Sequence, residues 1–207
     1  MKYGYFDDDN NEYIVTNPMT PLKWINYVGT LDCGGLVDHT GGMLICKQDP
    51  ALNRILKYIP QMPSAEFKGS TLYLRERGGE NYCVFSAFFV PTLDNYDLFE
   101  CHVGLGYSRF VTEIYGIRSD VTMFVPRGDT RVLWDVRVTN VSDRVRSIDA
   151  VPVVEYSHFD ALKQFNNADW VPQTMQSKAH VVDEKTILTQ FAFMNKELHI
   201  NYLTSSW

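Results

Sequence analysis

Hydrophobic and polar residues alternate along most of this chain, and the clearest stretch spans residues 131–139. Every second residue from Val132 to Val138 is apolar, and charged or hydroxyl residues fill most of the positions between them. Successive side chains of a strand point to opposite faces, so this pattern predicts a half-buried antiparallel strand. A return strand is predicted over 148–156, where Pro152 indicates an edge strand or a bulge.

The same alternation recurs before and after this pair, and short polar turns separate the segments. It predicts strands over residues 12–15, 71–75, 82–86, 119–125, 179–182 and 186–193. Gly78-Gly79 and the segment 183–185 supply two of the hairpin turns. Only 50–57 and 159–165 are expected to form a turn or two of helix. Many short strands with few short helical turns predict an all-β fold, a large antiparallel β-sandwich.

Composition supports one folded domain over residues 1–207. Hydrophobic residues make up 45% of the 207 positions, which excludes disorder for most of the chain. No apolar run approaches the roughly 18 residues of a membrane span, so no membrane insertion is expected. The first residues turn acidic at once, which does not resemble a secretory signal.

The net charge argues against some classes of partner, and the cysteine spacing argues against a structural metal. A net charge of −6 argues against a nucleic-acid or anionic-membrane surface, although a small anion such as phosphate needs only a local patch of donors. Cys33, Cys46, Cys83 and Cys101 form no closely spaced pair of the kind that structural zinc requires. Reduced, mostly buried thiols in a cytoplasmic protein are therefore predicted, with no metal.

Three short motifs contain residues of the types that bind cations, anions or other ligands. The acidic run 7–11 lacks the glycine and the distant glutamate of a calcium loop, which favours a solvated turn. The segment 39–42 is typical of a tight turn rather than of an anion-binding loop. His102 is as compatible with a hydrogen-bonded core position as with a ligand contact. No Gly-x-Ser-x-Gly elbow is present, so a hydrolase triad has no support.

The segment 159–174 interrupts the rhythm of strands and is rich in Asn, Asp, Gln and Trp. Sugar sites use this mixture, because amides and carboxylates bind hydroxyl groups and an indole covers the apolar face of the ring. An ordinary long polar loop explains the composition equally well. Loops of this length in compact domains are commonly functional or disordered.

Several motifs, in order along the chain, closely resemble glycoside hydrolase family 94. The resemblance is to its cytoplasmic inverting disaccharide phosphorylases, which act on cellobiose, chitobiose, laminaribiose and related sugars. It covers essentially the whole chain. The motifs are residues 1–8, 12–15, 24–29, 101–107, 124–126, 138–143 and 154–156.

The resemblance implies an N-terminal, supersandwich-like β-sandwich domain that is incomplete at its C-terminus. The family's (α/α)6 barrel, which carries the general-acid aspartate and the phosphate-binding residues, is absent from these 207 residues. No catalytic residue is therefore expected in this chain. The implied parent reaction converts a disaccharide and phosphate into α-glucose 1-phosphate and a free sugar, with inversion. Phosphate is a co-substrate, and no cofactor is implied.

The resemblance also implies a homodimer in which this domain approaches the acceptor-sugar site of the other subunit. The loop after the strand that ends at 154–156 carries that contact. Its matching positions are Asp160, Asn167 and Trp170. Two of the three differ from the cellobiose phosphorylase pattern, and the resemblance favours a laminaribiose-type acceptor.

Two alternatives remain open on sequence alone. One is a carbohydrate-binding or dimerisation module with no chemistry of its own. The other is a mutarotase-like enzyme, which needs a His and Glu pair within the sheet; the candidates are His102, His158 and Glu155.

Overall fold

The computed structural model describes residues 2–60, 64–77, 82–193 and 199–206. Nearly all of its regular structure is β. The strands are β1 Gly4–Asp7, β2 Glu12–Val15, β3 Ile25–Gly29, β4 Gly34–Asp38, β5 Met43–Cys46, β6 Ser70–Glu76, β7 Val84–Ser86, β8 Leu98–Gly104, β9 Tyr107–Ile114, β10 Ile117–Phe124, β11 Leu133–Asn140, β12 Ile148–Val154, β13 Met175–Val182, β14 Lys185–Ala192 and β15 Ile200–Thr204. Helix α1 spans Ala161–Asn166, and a 3₁₀ helix spans Val171–Thr174.

The largest sheet has the strand order β1-β2-β8-β9-β10-β11, with every neighbouring pair antiparallel. Its strands follow the predicted alternation. In β11, Trp134, Val136 and Val138 are half-buried, while the residues between them are exposed. The strand predicted over 131–139 is therefore confirmed, with β11 beginning two residues later.

Two three-stranded sheets lie against the large one, with the orders β3-β4-β5 and β12-β6-β7. Isolated bridges from Cys46 to Arg54 and from Leu56 to Tyr156 connect them. Pro152 lies in β12, an outer strand of its sheet, which confirms the predicted edge position. A proline is tolerated there because its missing N–H removes no bond that a central strand needs.

The core lies between the large sheet and these two smaller sheets. Phe88 and Phe110 are fully buried, and their ring centroids are 4.9 Å apart. Trp134 of β11 meets Phe88 edge to face at 5.8 Å. Burying each such ring stabilises the fold by about 1.5–3 kcal/mol. The all-β sandwich predicted from the alternation is confirmed.

The third small sheet, β13-β14-β15, is formed by the last part of the chain. Its first hairpin confirms the prediction, since β13 and β14 pair antiparallel from Met175 with Ala192 to Val182 with Lys185. The two turn residues between them have φ values of 48° and 64°, as a type I′ turn requires. Unlike the other sheets, this one is largely exposed, and β13 is exposed from its second residue onward.

Two details differ from the predictions or fall outside the described residues. The helix expected over 50–57 is wrong: Arg54 instead bridges to Cys46, and the Ile55 N–H donates to the Ile45 carbonyl. The open edge of β5 therefore pairs with a segment whose local pattern favoured a helix. The Gly78-Gly79 turn lies outside the described residues, although β6 and β7 pair as predicted. No helix in the described ranges is long and apolar enough to span a membrane.

Candidate functional site

The candidate sugar-contacting loop begins at Asp160, which caps α1. Its Oδ1 accepts a hydrogen bond from the Lys163 N–H at 2.8 Å. Its own N–H donates to Nδ1 of His158 at 3.1 Å. An aspartate at this position satisfies an otherwise unpaired N–H of the first helical turn. Asp160 therefore fixes where the helix starts and how it leaves the sheet.

The loop turns back at Asn167, immediately after α1. The Asn167 side-chain amide donates to the Lys163 carbonyl at 3.0 Å, and its oxygen accepts from Nε1 of Trp170 at 3.2 Å. Both ends of this amide are thus used within the loop. Asn167 and Trp170 are brought together, whereas Asp160 lies at the opposite end of the helix, about 10 Å away along its axis.

Trp170 gives the loop a partly exposed aromatic face. It is 42% exposed, and the Lys163 ammonium lies 5.9 Å from its ring centroid. Leu162 and Phe165, on α1, are 65% and 74% exposed. A partly exposed indole held by a hydrogen bond offers a flat apolar surface of the kind on which sugar rings stack.

His158 supports the base of this loop from inside. It is buried, and its ring stacks on Phe159 at 4.3 Å, which in turn stacks on His199 at 4.0 Å. Burial lowers the pKa of His158, so the neutral ring is favoured. A neutral ring can accept the Asp160 N–H, which makes His158 part of the loop's framework.

Of the candidates for mutarotase-like chemistry, His102 pairs with carboxylates of its own sheet, but these are not Glu155. Among the described residues, His102 contacts Glu12 at 2.7 Å and Glu100 at 3.2 Å, and Glu155 forms an ion pair with Lys57. Sequence reasoning missed Glu12, because its partner lies 90 positions away and no local pattern indicates a buried carboxylate.

The turn at 39–42 is confirmed as a tight turn whose donors are already occupied. The buried carboxylate of Asp38 accepts from the Thr40 N–H at 2.7 Å and from the Gly42 N–H at 3.2 Å. It also accepts from the Tyr58 hydroxyl at 3.1 Å. Burial, assisted by this negative charge, raises the pKa of Tyr58. Asp38 thus fills the position that an external anion would take.

The acidic turn is closed by its own side chains, and the cysteines are mostly buried, as predicted. The N–H and side-chain amide of Asn10 donate to the Asp7 carboxylate, which closes the turn between β1 and β2. Within the described ranges, no cluster of three or more His, Cys, Asp or Glu side chains forms a metal site. All four cysteines are free, and every one except the partly exposed Cys83 is buried.

Comparison with known proteins places this fold in a family. The description "Glycosyl hydrolase 94, supersandwich domain" matches residues 11–206. An N,N'-diacetylchitobiose phosphorylase from Vibrio proteolyticus is 38% identical over 161 residues, which covers 76% of this chain and 20% of that protein. A 3-O-beta-D-glucopyranosyl-beta-D-glucuronide phosphorylase from Paenibacillus borealis is 26% identical over 205 residues, which covers 97% of this chain and 22% of that protein.

A solabiose phosphorylase, also from Paenibacillus borealis, is 30% identical over 159 residues, covering 75% of this chain and 20% of that protein. The chain spans about a fifth of the length of the curated relatives it matches. The match over nearly all of the sequence agrees with the antiparallel sheets described above. The chain belongs to glycosyl hydrolase family 94, and residues 11–206 form its supersandwich domain.

Proposed function

We propose that this chain is the N-terminal, sugar-facing domain of an inverting disaccharide phosphorylase. The observation that carries the proposal is the family match over residues 11–206, together with relatives that are all phosphorylases of glycosides. In the proposed reaction, a phosphate oxygen bonds to the anomeric carbon as the glycosidic C–O bond breaks. The products are α-glucose 1-phosphate and a free sugar. A carboxylic acid outside these 207 residues protonates the leaving oxygen.

This domain acts at the acceptor side of the reaction, in a cytoplasmic homodimer. The loop 159–174 of one subunit approaches the active site of the other and contacts the sugar that is released. Trp170 supplies a stacking face, and Asn167 holds the indole through the 3.2 Å hydrogen bond. Asp160 is a positioning residue, since its carboxylate caps α1. The four free thiols support a reducing compartment.

The observations that bear on the acceptor sugar favour two different sugars. The motif resemblance favours laminaribiose, whose linkage is matched by the 3-O-glucoside in the name of one relative. The 38% identity to a chitobiose phosphorylase instead favours N,N'-diacetylchitobiose. Our primary proposal is laminaribiose, and N,N'-diacetylchitobiose is the second candidate.

The test is a phosphorolysis panel on the full-length protein that carries this domain. Laminaribiose, N,N'-diacetylchitobiose and cellobiose are each incubated with phosphate, and the release of sugar 1-phosphate is measured. We expect turnover of at least one of these sugars, with laminaribiose fastest. If none of the three is phosphorolysed, the proposed activity is wrong; if N,N'-diacetylchitobiose is fastest, the second candidate replaces the first.

The loop assignment is tested separately in the synthetic direction. Trp170→Ala removes the stacking face, and Asn167→Ala releases the indole. We expect KM for the acceptor sugar to rise about tenfold in each variant, a loss that matches one good contact of about 1.4 kcal/mol. KM for α-glucose 1-phosphate should stay unchanged. Tyr27→Ala, at an aromatic that is 74% exposed on β3, is the matched control. If KM for the acceptor sugar were unchanged in both loop variants, the loop would not contact the acceptor sugar and this assignment would be wrong.

A further inference from the structure

A cavity of about 440 Å³ lies between the end of β12 and the sheet β13-β14-β15. Val153 and Tyr156 line one side, and Leu188 and Leu203 line the other. Small-molecule sites in proteins typically occupy roughly 300–1,000 Å³, so this volume suits a small ligand. The cavity is built by strands, and the described loop contributes to it only through Gln164 and Pro172.

Gln190 lines this cavity with hydrogen-bonding capacity that the protein leaves unused. Its Oε1 is buried and has no hydrogen-bond partner among the described residues. A buried acceptor without a donor costs about 1–3 kcal/mol, so native structures rarely leave one unexplained. Since this oxygen has almost no accessible surface, the amide must turn about its soft terminal torsion to meet a hydroxyl group placed in the cavity.

Gln164 presents a second amide to the same cavity, and its orientation is fixed. Its Oε1 accepts from the Ser157 hydroxyl at 3.0 Å and from the His158 N–H. A backbone N–H can only donate, so the accepting atom is the oxygen, and the amide nitrogen is the end left for a ligand. The two glutamines come from different elements, α1 and β14, and both line the cavity.

The charges in the lining balance each other and give no preference for an ionic ligand. Lys57 and Glu155 both line the cavity and form an ion pair with each other, so neither sign is in excess there. Apolar side chains, among them Leu188 and Leu203, provide contact for a hydrocarbon surface. Amides beside aliphatic side chains fit a molecule with many hydroxyl groups and an apolar C–H face.

From this combination we infer that the cavity between β12 and β13-β14-β15 is a saccharide-binding site, with the amides of Gln164 and Gln190 as its polar contacts. This site is distinct from the Trp170 face of the loop. It goes beyond the proposed phosphorolysis, because it requires neither phosphate nor a second subunit. The ligand is a neutral mono- or disaccharide.

The test measures sugar binding to the 207-residue chain without phosphate, so its outcome does not depend on catalysis. Glucose, laminaribiose and N,N'-diacetylchitobiose are titrated by calorimetry and by ligand-observed NMR. Gln190→Met and Gln164→Met remove the amides while keeping a similar shape. Gln176→Met, at an exposed residue of β13 outside the cavity lining, is the matched control. Trp170→Ala separates the cavity from the loop.

We expect at least one sugar to bind, with Kd raised at least tenfold by Gln190→Met and by Gln164→Met and unchanged by Gln176→Met and Trp170→Ala. The melting temperature of ligand-free Gln190→Met should be equal to or above that of the parent chain, because an unpaired buried acceptor is removed. No binding of any of the three sugars would overturn the inference. Binding that survives both cavity variants, or that is lost with Trp170→Ala or Gln176→Met, would overturn it as well.

Discussion

The strands β10 and β13 show what an alternating sequence does and does not reveal. In β10, every second residue from Ile117 to Met123 is buried. In β13, the residues from Gln176 to Val182 are all exposed, although the strand is as long and pairs with β14 over its whole length. β13 is an edge strand, whereas β10 is paired on both sides. Alternation therefore tells which side chains share a face. It does not tell whether another layer covers that face.

The difference follows from what each sheet packs against. The large sheet faces two smaller sheets, so its apolar residues form a common core with theirs. The strands of the sheet β13-β14-β15 pair only with one another, and Val181 and Tyr202 remain 76% and 65% exposed. Stability should therefore be concentrated in the layered part of the domain.

The sharpest way to test this contrast is to remove one aromatic from each part. Phe110→Ala empties a fully buried site beside Phe88 and should lower the free energy of unfolding by about 3–5 kcal/mol. Tyr202→Ala, at an exposed position of β15, should lower it by less than about 0.5 kcal/mol. Urea unfolding followed by circular dichroism measures both. Equal losses would show that the exposed sheet is as tightly integrated as the core.

Replacing Asp38 tests whether buried polar groups stabilise the layered part of the domain. Asp38→Ala leaves the N–H groups of Thr40 and Gly42 and the hydroxyl of Tyr58 without their acceptor. Each orphaned buried group costs about 1–3 kcal/mol, so a total loss of at least about 2 kcal/mol is expected by urea unfolding. The exposed Asp135→Ala on β11 serves as the control. A loss no greater than that of the control would show that this network does not stabilise the fold.

Lowering the pH should have a smaller effect on the free energy of unfolding, which also arises in the layered part of the domain. Arg77 and Arg75 donate to the Asp149 carboxylate at 2.6 and 3.0 Å and lower its pKa to about 2. Because the folded pKa is below the ordinary 3.8, the stabilisation is complete above about pH 4 and is lost as the pH falls toward 2. Unfolding free energies of the parent chain and of Asp149→Asn, measured between pH 2 and 5, should therefore converge at the acid end.

If the unfolding free energies of the parent chain and of Asp149→Asn stayed equally far apart from pH 5 to pH 2, the Asp149 ion pairs would not be the source of the acid sensitivity. Within the described part of β13-β14-β15, no ion pair joins the strands. An acid-dependent loss confined to that sheet would therefore be equally contradictory.

Local patterns were enough for the fold class but not for every contact. The alternation around Trp134 and the turn at 183–185 depend on neighbouring residues, so the sequence alone predicted β11 and the β13-β14 hairpin. Segment 50–57 failed because pairing with β5, a tertiary contact, overrode its local helical preference. Glu12 was missed for the same reason, since His102 lies on a different strand.

At the candidate site, too, the sequence predicted local features but not the contacts that depend on the tertiary fold. Composition alone singled out the loop 159–174, and family motifs singled out its individual positions. Neither indicated that the Asn167 amide is already bonded to Lys163 and Trp170, because that depends on where α1 ends. Gln164 and Gln190 line one cavity only because β14 lies beside the end of β12, and no spacing in the sequence encodes that arrangement.

Our central proposal is that this domain belongs to a phosphorylase whose bond-breaking groups lie outside the 207 residues. The most direct measurement compares the full-length protein with the 207-residue chain at equal concentration, using laminaribiose or N,N'-diacetylchitobiose with phosphate. We expect sugar 1-phosphate from the full-length protein alone. Product formed by the 207-residue chain, or by neither protein, would contradict the claim.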